Sequence, residues 1–195
     1  QGGSSRDDVL LAQWFGNGEL GAGADGVWER LRAGTTSAHL EHRQWSGDGV
    51  VASVDDAIND VVDWSAHDDR EYAFSLSYGG TLSDDRKYMN WRTGKGGAGD
   101  RAENWQILSP YRSRAFGTVE INRHIKRTLR TKDIDLAFRR YSWRNPKPIG
   151  PEQIVRGDKV MQTRNDSRQK AYPEGAGLNY VANGEIGVVI GRWGK

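Results

Sequence analysis

Eleven Lys and Arg side chains, against three Asp and Glu, crowd the stretch from Tyr111 to Pro148. Arg112 and Arg114 sit in a polar loop, Tyr111 to Gly117, and Asn122, Arg123 and Lys126 follow closely. Clustered guanidinium and ammonium groups are the chemistry that neutralises a polyanion. The run Arg139-Arg-Tyr-Ser-Trp-Arg144 alternates aromatic rings with Arg, so Arg140 and Trp143 suit charge neutralisation combined with base stacking. Most other Trp side chains suit core packing, since aromatics dominate cores.

Other chemistries find no complete residue set. His39 and His42 stand three apart with Glu41 between them, and His67 and His124 stand elsewhere. A zinc site needs more ligands at set spacing. Asp55-Asp56, Asp68-Asp69 and Asp84-Asp85 are sequence neighbours, which face apart on a helix or strand and make no catalytic carboxylate pair. Gly16 to Gly26 holds five Gly in eleven residues. It lacks both the preceding strand and the following Lys-Ser/Thr of a phosphate loop. No GxSxG elbow occurs. The chain has no Cys, which excludes thiol catalysis, disulfides and Cys-ligated zinc.

The elements that must position the basic groups follow from hydrophobic spacing. Ile121, Ile125 and Leu129 recur every four residues and predict a helix from Thr118 to about Arg130. Asn122, Arg123, Lys126, Arg127 and Arg130 are left for its surface. Trp105 to Leu108 reads as a short strand before it. Strand, basic loop and basic helix make a βα unit of a parallel sheet, whose strand ends are where ligands bind and where Arg112 and Arg114 fall. Ser53 to Val62 predicts a further helix, and Tyr72 to Tyr78, alternating large and small, predicts a strand. The Pro-rich connector Asn145 to Pro151 leads to strands at Lys159 to Thr163 and Glu185 to Ile190, with an Asn183-Gly184 tight turn. Short strands with glycine turns predict a small SH3-like or OB-like barrel.

The 195 residues suit one or two small domains. The net charge of +2 hides an acidic half, residues 1–99 with 9 Lys/Arg against 16 Asp/Glu, and a basic half with 19 against 10. The switch coincides with the Thr93 to Gly99 turn. The expected organisation is an acidic α/β segment over 1–99, a basic strand–loop–helix unit over 100–148 and a β-barrel segment over 149–195. No apolar run approaches the roughly 18 residues of a membrane span. The composition suits a soluble protein of the cytoplasm.

Three ordered stretches resemble the C-terminal half of UvrD/RecD-type superfamily 1 DNA helicases. Trp105-Gln-Ile-Leu-Ser-Pro-Tyr-Arg-Ser-Arg-Ala-Phe-Gly117, followed by Ile121-Asn122, is similar to the family's "vLsPvr…G…LN" segment. Gly157-Asp-Lys-Val-Met-Gln-Thr-Arg-Asn165 is similar to "GDkVmq..N", and Asn183-Gly-Glu-Ile-Gly187 resembles "NGdiG.v". Leu40-Glu-His-Arg43-Gln44 resembles the segment whose Arg reaches the γ-phosphate of ATP.

The resemblance implies an α/β fold: part of the second RecA-like parallel-sheet domain, with an SH3-like β-barrel at the C-terminal end. It implies a piece of an ATP-dependent DNA helicase that uses ATP and Mg²⁺ in the intact protein, with no catalytic residue and no metal ligand in this segment. Walker A and Walker B motifs are absent from the sequence, so the segment is expected to be inactive alone. Implied partners are single-stranded DNA and an N-terminal motor domain of the same protein. Arg112, Arg114, Asn122, Arg123, Lys126, Arg140, Trp143, Lys159, Gln162 and Asn165 would contact DNA, and Arg43 would sense the γ-phosphate. The residues also admit a non-catalytic nucleic-acid-binding module, or an interaction domain whose basic half docks on an acidic surface.

Overall fold

A computed structural model describes residues 6–35, 37–46, 49–92, 94–139, 142, 145–167 and 180–191. Arg140 and Trp143, both expected at a DNA surface, lie outside the described residues. The chain forms two compact units, Gln1–Gly49 and Val50–Lys195. The charge switch at the 94–99 turn therefore falls inside the second unit.

In the first unit, α1 (Asp7–Gln13) packs on α2 (Ala24–Arg32) around Leu10, Ala24 and Val27. The Trp14 indole donates to the Ala24 carbonyl at 3.0 Å, and an Arg30–Asp7 ion pair at 2.5 Å joins the two helices.

The second unit builds its core from three helices. In α3 (Val50–Val61), Val50, Val54 and Ile58 recur every four residues and are buried. They meet Ala73, Phe74 and Tyr78, and Ile121 and Leu129 from α6 (Thr118–Leu129). The stripe of α6 follows the predicted spacing.

The segment Tyr72 to Tyr78 is not a strand. It lies in and just beyond α4 (Arg70–Ser77), which Asp69 caps by accepting from the Glu71 amide at 3.0 Å. Phe74 and Tyr78 stand four residues apart, so the large–small alternation also fits a helix, and their rings meet edge-on at 5.3 Å.

The strands are short. β1 (Gly80–Leu82) pairs antiparallel with β2 (Met89–Trp91), from Gly80 opposite Trp91 to Leu82 opposite Met89. After α5 (Ala98–Arg101), α6 and α7 (Thr131–Arg139), four further strands pair as β3 (Lys159–Met161) with β6 (Ile186–Val188), and β4 (Asp166–Ser167) with β5 (Tyr180–Val181). Both pairs are antiparallel. Gly184 takes a left-handed φ of 93° in the expected Asn183-Gly184 turn. That turn joins strands of different pairs, β5 and β6.

The architecture is mixed α/β, with seven α-helices and small antiparallel sheets among the described residues. No parallel pair and no closed barrel occurs among them. Trp105 to Leu108 pairs with no strand among the described residues. The Trp105 carbonyl instead accepts from the Lys159 ammonium. No described helix is long and apolar enough to cross a membrane.

Candidate nucleic-acid interface

The loop before α6 is held from within by its own side chains and backbone. The Ser109 hydroxyl accepts from the Tyr111 amide at 3.2 Å and lies 2.9 Å from the Phe116 carbonyl. The Tyr111 and Phe116 rings close edge-on at 5.1 Å. The first amides of α6 then donate back to the loop, Thr118 to the Tyr111 carbonyl at 3.0 Å and Val119 to the Arg112 carbonyl at 3.2 Å. No side chain caps this helix start. The N-cap is Gly117, which has no side chain to offer, and loop carbonyls satisfy amides that a helix start leaves open. A Cβ on Gly117 would stand 2.5 Å from the Arg112 carbonyl oxygen, so only Gly allows this closure.

The closed loop leaves Arg112 and Arg114 exposed. Among the described residues no hydrogen bond or ion pair engages either guanidinium. Two unneutralised cations two residues apart can bind phosphate oxygens by charge-assisted bonds. Since Thr118 and Val119 have spent their amides on the loop, an anion here would be held by the guanidinium groups.

The other expected residues divide by what already holds them. Asn122 is exposed on α6, beside Arg123. Arg123 pairs with Glu120 at 2.8 Å and with Glu152 at 3.4 Å, which offsets much of its charge. Lys126 points inward, to Asp158 at 2.5 Å and to the Gln153 and Glu152 carbonyls at 2.6 and 3.0 Å. Arg130, expected on the helix surface, is 2% exposed. Asp158, Asp133, Ser75 and the Arg156 carbonyl surround it.

Lys159 bonds the Trp105 carbonyl and lies over the Trp105 ring at 4.9 Å, and burial pushes its ammonium below the ordinary lysine value. Gln162 donates to the Arg164 carbonyl at 2.7 Å, and the Asn165 side chain accepts from the Asn183 amide at 2.8 Å. The first bond is local, and the second ties the residue before β4 to the turn after β5. Arg43 belongs to the first unit, where Glu41 binds it in two places at 2.7 and 3.1 Å.

Arg127 joins the exposed cations of α6 without a side-chain partner among the described residues. It rims a cavity of about 420 Å³ floored by Val50, Val54 and Ile121. Ala115 of the arginine loop lines the same cavity, and His124 at its wall meets Asp55 at 2.7 Å. The helical spacing of α6 placed Arg127 on this surface, but nothing in the sequence marked the hollow beside it.

Neither a protein-family model, nor a curated protein, nor a solved structure matches this chain.

Proposed function

We propose that the chain is a segment of an ATP-dependent DNA helicase whose basic half holds single-stranded DNA. In this reading residues around 105–190 belong to a second RecA-like motor domain with an SH3-like insertion, and an N-terminal motor domain completes the enzyme. The observation that carries the DNA contact is the pair Arg112 and Arg114, exposed and without a counter-charge among the described residues, on a loop that α6 closes. The ordered sequence resemblance over the same loop supplies the enzyme class.

The groups separate by role. Arg112 and Arg114 bind phosphates, and Asn122 and Arg127 extend that surface along α6. ATP and Mg²⁺ belong to the intact motor, where hydrolysis needs a phosphate loop, the metal and a positioned Arg together. Arg43 is the candidate for that last group, exchanging Glu41 for the γ-phosphate.

Binding of a labelled single-stranded oligonucleotide to the whole chain, across a salt series, tests the reading. Affinity that falls linearly on a double-logarithmic salt plot supports it, because phosphate contacts release counterions. No binding at low salt, or binding indifferent to salt, would sink it.

A further inference from the structure

We infer that Asp158, gripped by Lys126 and Arg130, is a positioning residue that locks the β3–β6 pair onto α6. The consequence for DNA rests on the function proposed above; the lock itself does not.

Asp158 is nearly sealed from solvent, at 8% exposure. One oxygen accepts from the Lys126 ammonium at 2.5 Å and from the Val155 amide at 2.9 Å. The other accepts from Arg130 Nε at 3.3 Å. The backbone of the same residue continues the β3–β6 pairing by one step. Its carbonyl accepts from the Val189 amide at 2.9 Å, and the adjacent Gly157 amide donates to the Val189 carbonyl at 2.7 Å. One residue is therefore held by the helix through its side chain and by the β3–β6 ladder through its main chain.

Both cations are already committed to partners inside the fold. An ammonium has three N–H donors. Those of Lys126 face Asp158 and the carbonyls of Glu152 and Gln153. Arg130 spends its fork on Asp158, Ser75, Asp133 and the Arg156 carbonyl. Asp158 and Asp133 face the two cations as counter-charges. Gln153 takes a left-handed φ of 49°, unusual for a residue with a side chain. Its carbonyl makes the 2.6 Å contact to Lys126. A strained residue persists where its surroundings over-determine it.

The geometry thus gives Lys126 a different task from the phosphate contact its place on a basic helix suggests. It holds the chain from Glu152 to Asp158 against the helix that begins at the arginine loop. The loop at one end of α6 and the strand pair beyond Asp158 then move as one body.

Hydrogen exchange followed by mass spectrometry on the whole chain tests this, with variants Lys126→Arg and Asp158→Asn. Lys126→Arg keeps the charge, so a phosphate-binding Lys126 would tolerate it, whereas a planar guanidinium cannot place three donors on the same three acceptors. We expect both variants to exchange at least tenfold faster over 149–161 and 186–189, with α4 unchanged. Lys126→Arg is also expected to bind the single-stranded oligonucleotide at least threefold more weakly. Unchanged exchange in both variants would overturn the lock. So would loss of protection throughout the second unit in Lys126→Arg, which would mark a general stability element. Should Asp158→Asn alone unfold, Lys126→Arg decides. If the wild-type chain binds no DNA, the functional reading fails while the exchange data still decide the lock.

Discussion

The Tyr78 hydroxyl donates to the Gly157 carbonyl at 3.0 Å, joining the end of α4 to a residue 79 positions later. The ring is 2% exposed and stacks on Trp91 at 5.2 Å, and burial pushes its phenol up to about 12. Tyr78→Phe keeps the ring and leaves the carbonyl without this donor. A buried group stripped of its partner costs about 1–3 kcal/mol. Urea denaturation is expected to show that loss with an unchanged slope, and equal stability would mean that the bond carries no net weight.

Gly157 itself admits no side chain. Its φ is 87°, and a Cβ would stand 2.6 Å from the Arg130 guanidinium and 2.7 Å from the Trp91 ring. Gly157→Ala therefore combines backbone strain, on the order of 1–3 kcal/mol, with displacement of a buried cation. A clear drop in thermal midpoint is expected. A midpoint within a degree of wild type would show that the turn can be rebuilt.

Glu71 links acidity to stability. Its side chain is buried on α4 and accepts from the Lys132 amide at 2.9 Å, with Asp69, Asp133 and the Lys132 ammonium near it. Burial pushes the Glu71 carboxyl above the ordinary glutamate value, against the pull of the Lys132 amide. The folded chain thus binds this proton more readily than the unfolded one. That contribution favours folding at acid pH and is lost as pH rises from the ordinary glutamate range through the raised value. Glu71→Gln removes the ionisation and can keep the bond to Lys132. The variant is expected to melt higher than wild type at neutral pH, with the gap closing on acidification below the ordinary glutamate range. A variant that melts lower at neutral pH would contradict this sign.

Gly117→Ala tests the loop closure. The φ of −84° is open to any residue, so the obstacle is the Arg112 carbonyl 2.5 Å from the added Cβ. The loop must open, which moves Arg112 and Arg114 while the core stripe of α6 stays packed. Weaker oligonucleotide binding with a near-wild-type circular dichroism spectrum is the expected outcome. Unaltered binding would show that the closure does not set the arginines.

Local spacing made α3 and α6 legible, because Val54 and Ile58, or Ile121 and Leu129, state which face must be buried. The Asn183-Gly184 turn was legible for the same local reason. Tyr72 to Tyr78 misled, since alternation over seven residues also contains the i, i+4 pair Phe74 and Tyr78. Trp105 to Leu108 looked like a strand, but a strand needs a neighbour and sequence does not say where one is. The largest departure is at the site itself. Lys126 and Arg130 read as surface charges on a basic helix, yet their carboxylate lies 32 and 28 residues further on. A distant partner decides whether a cation is free to meet phosphate. Arg112 and Arg114, which have none among the described residues, remain as the candidates.

The central claim, that these two arginines hold DNA phosphates, is tested most directly by the salt dependence of single-stranded oligonucleotide binding in wild type and in Arg112→Ala/Arg114→Ala. Each phosphate contact on a single strand contributes a slope of about −0.7, so the double variant is expected to bind more weakly with a slope shallower by about 1.4. Parallel slopes for the two proteins, or a wild type that fails to bind at low salt, would contradict it.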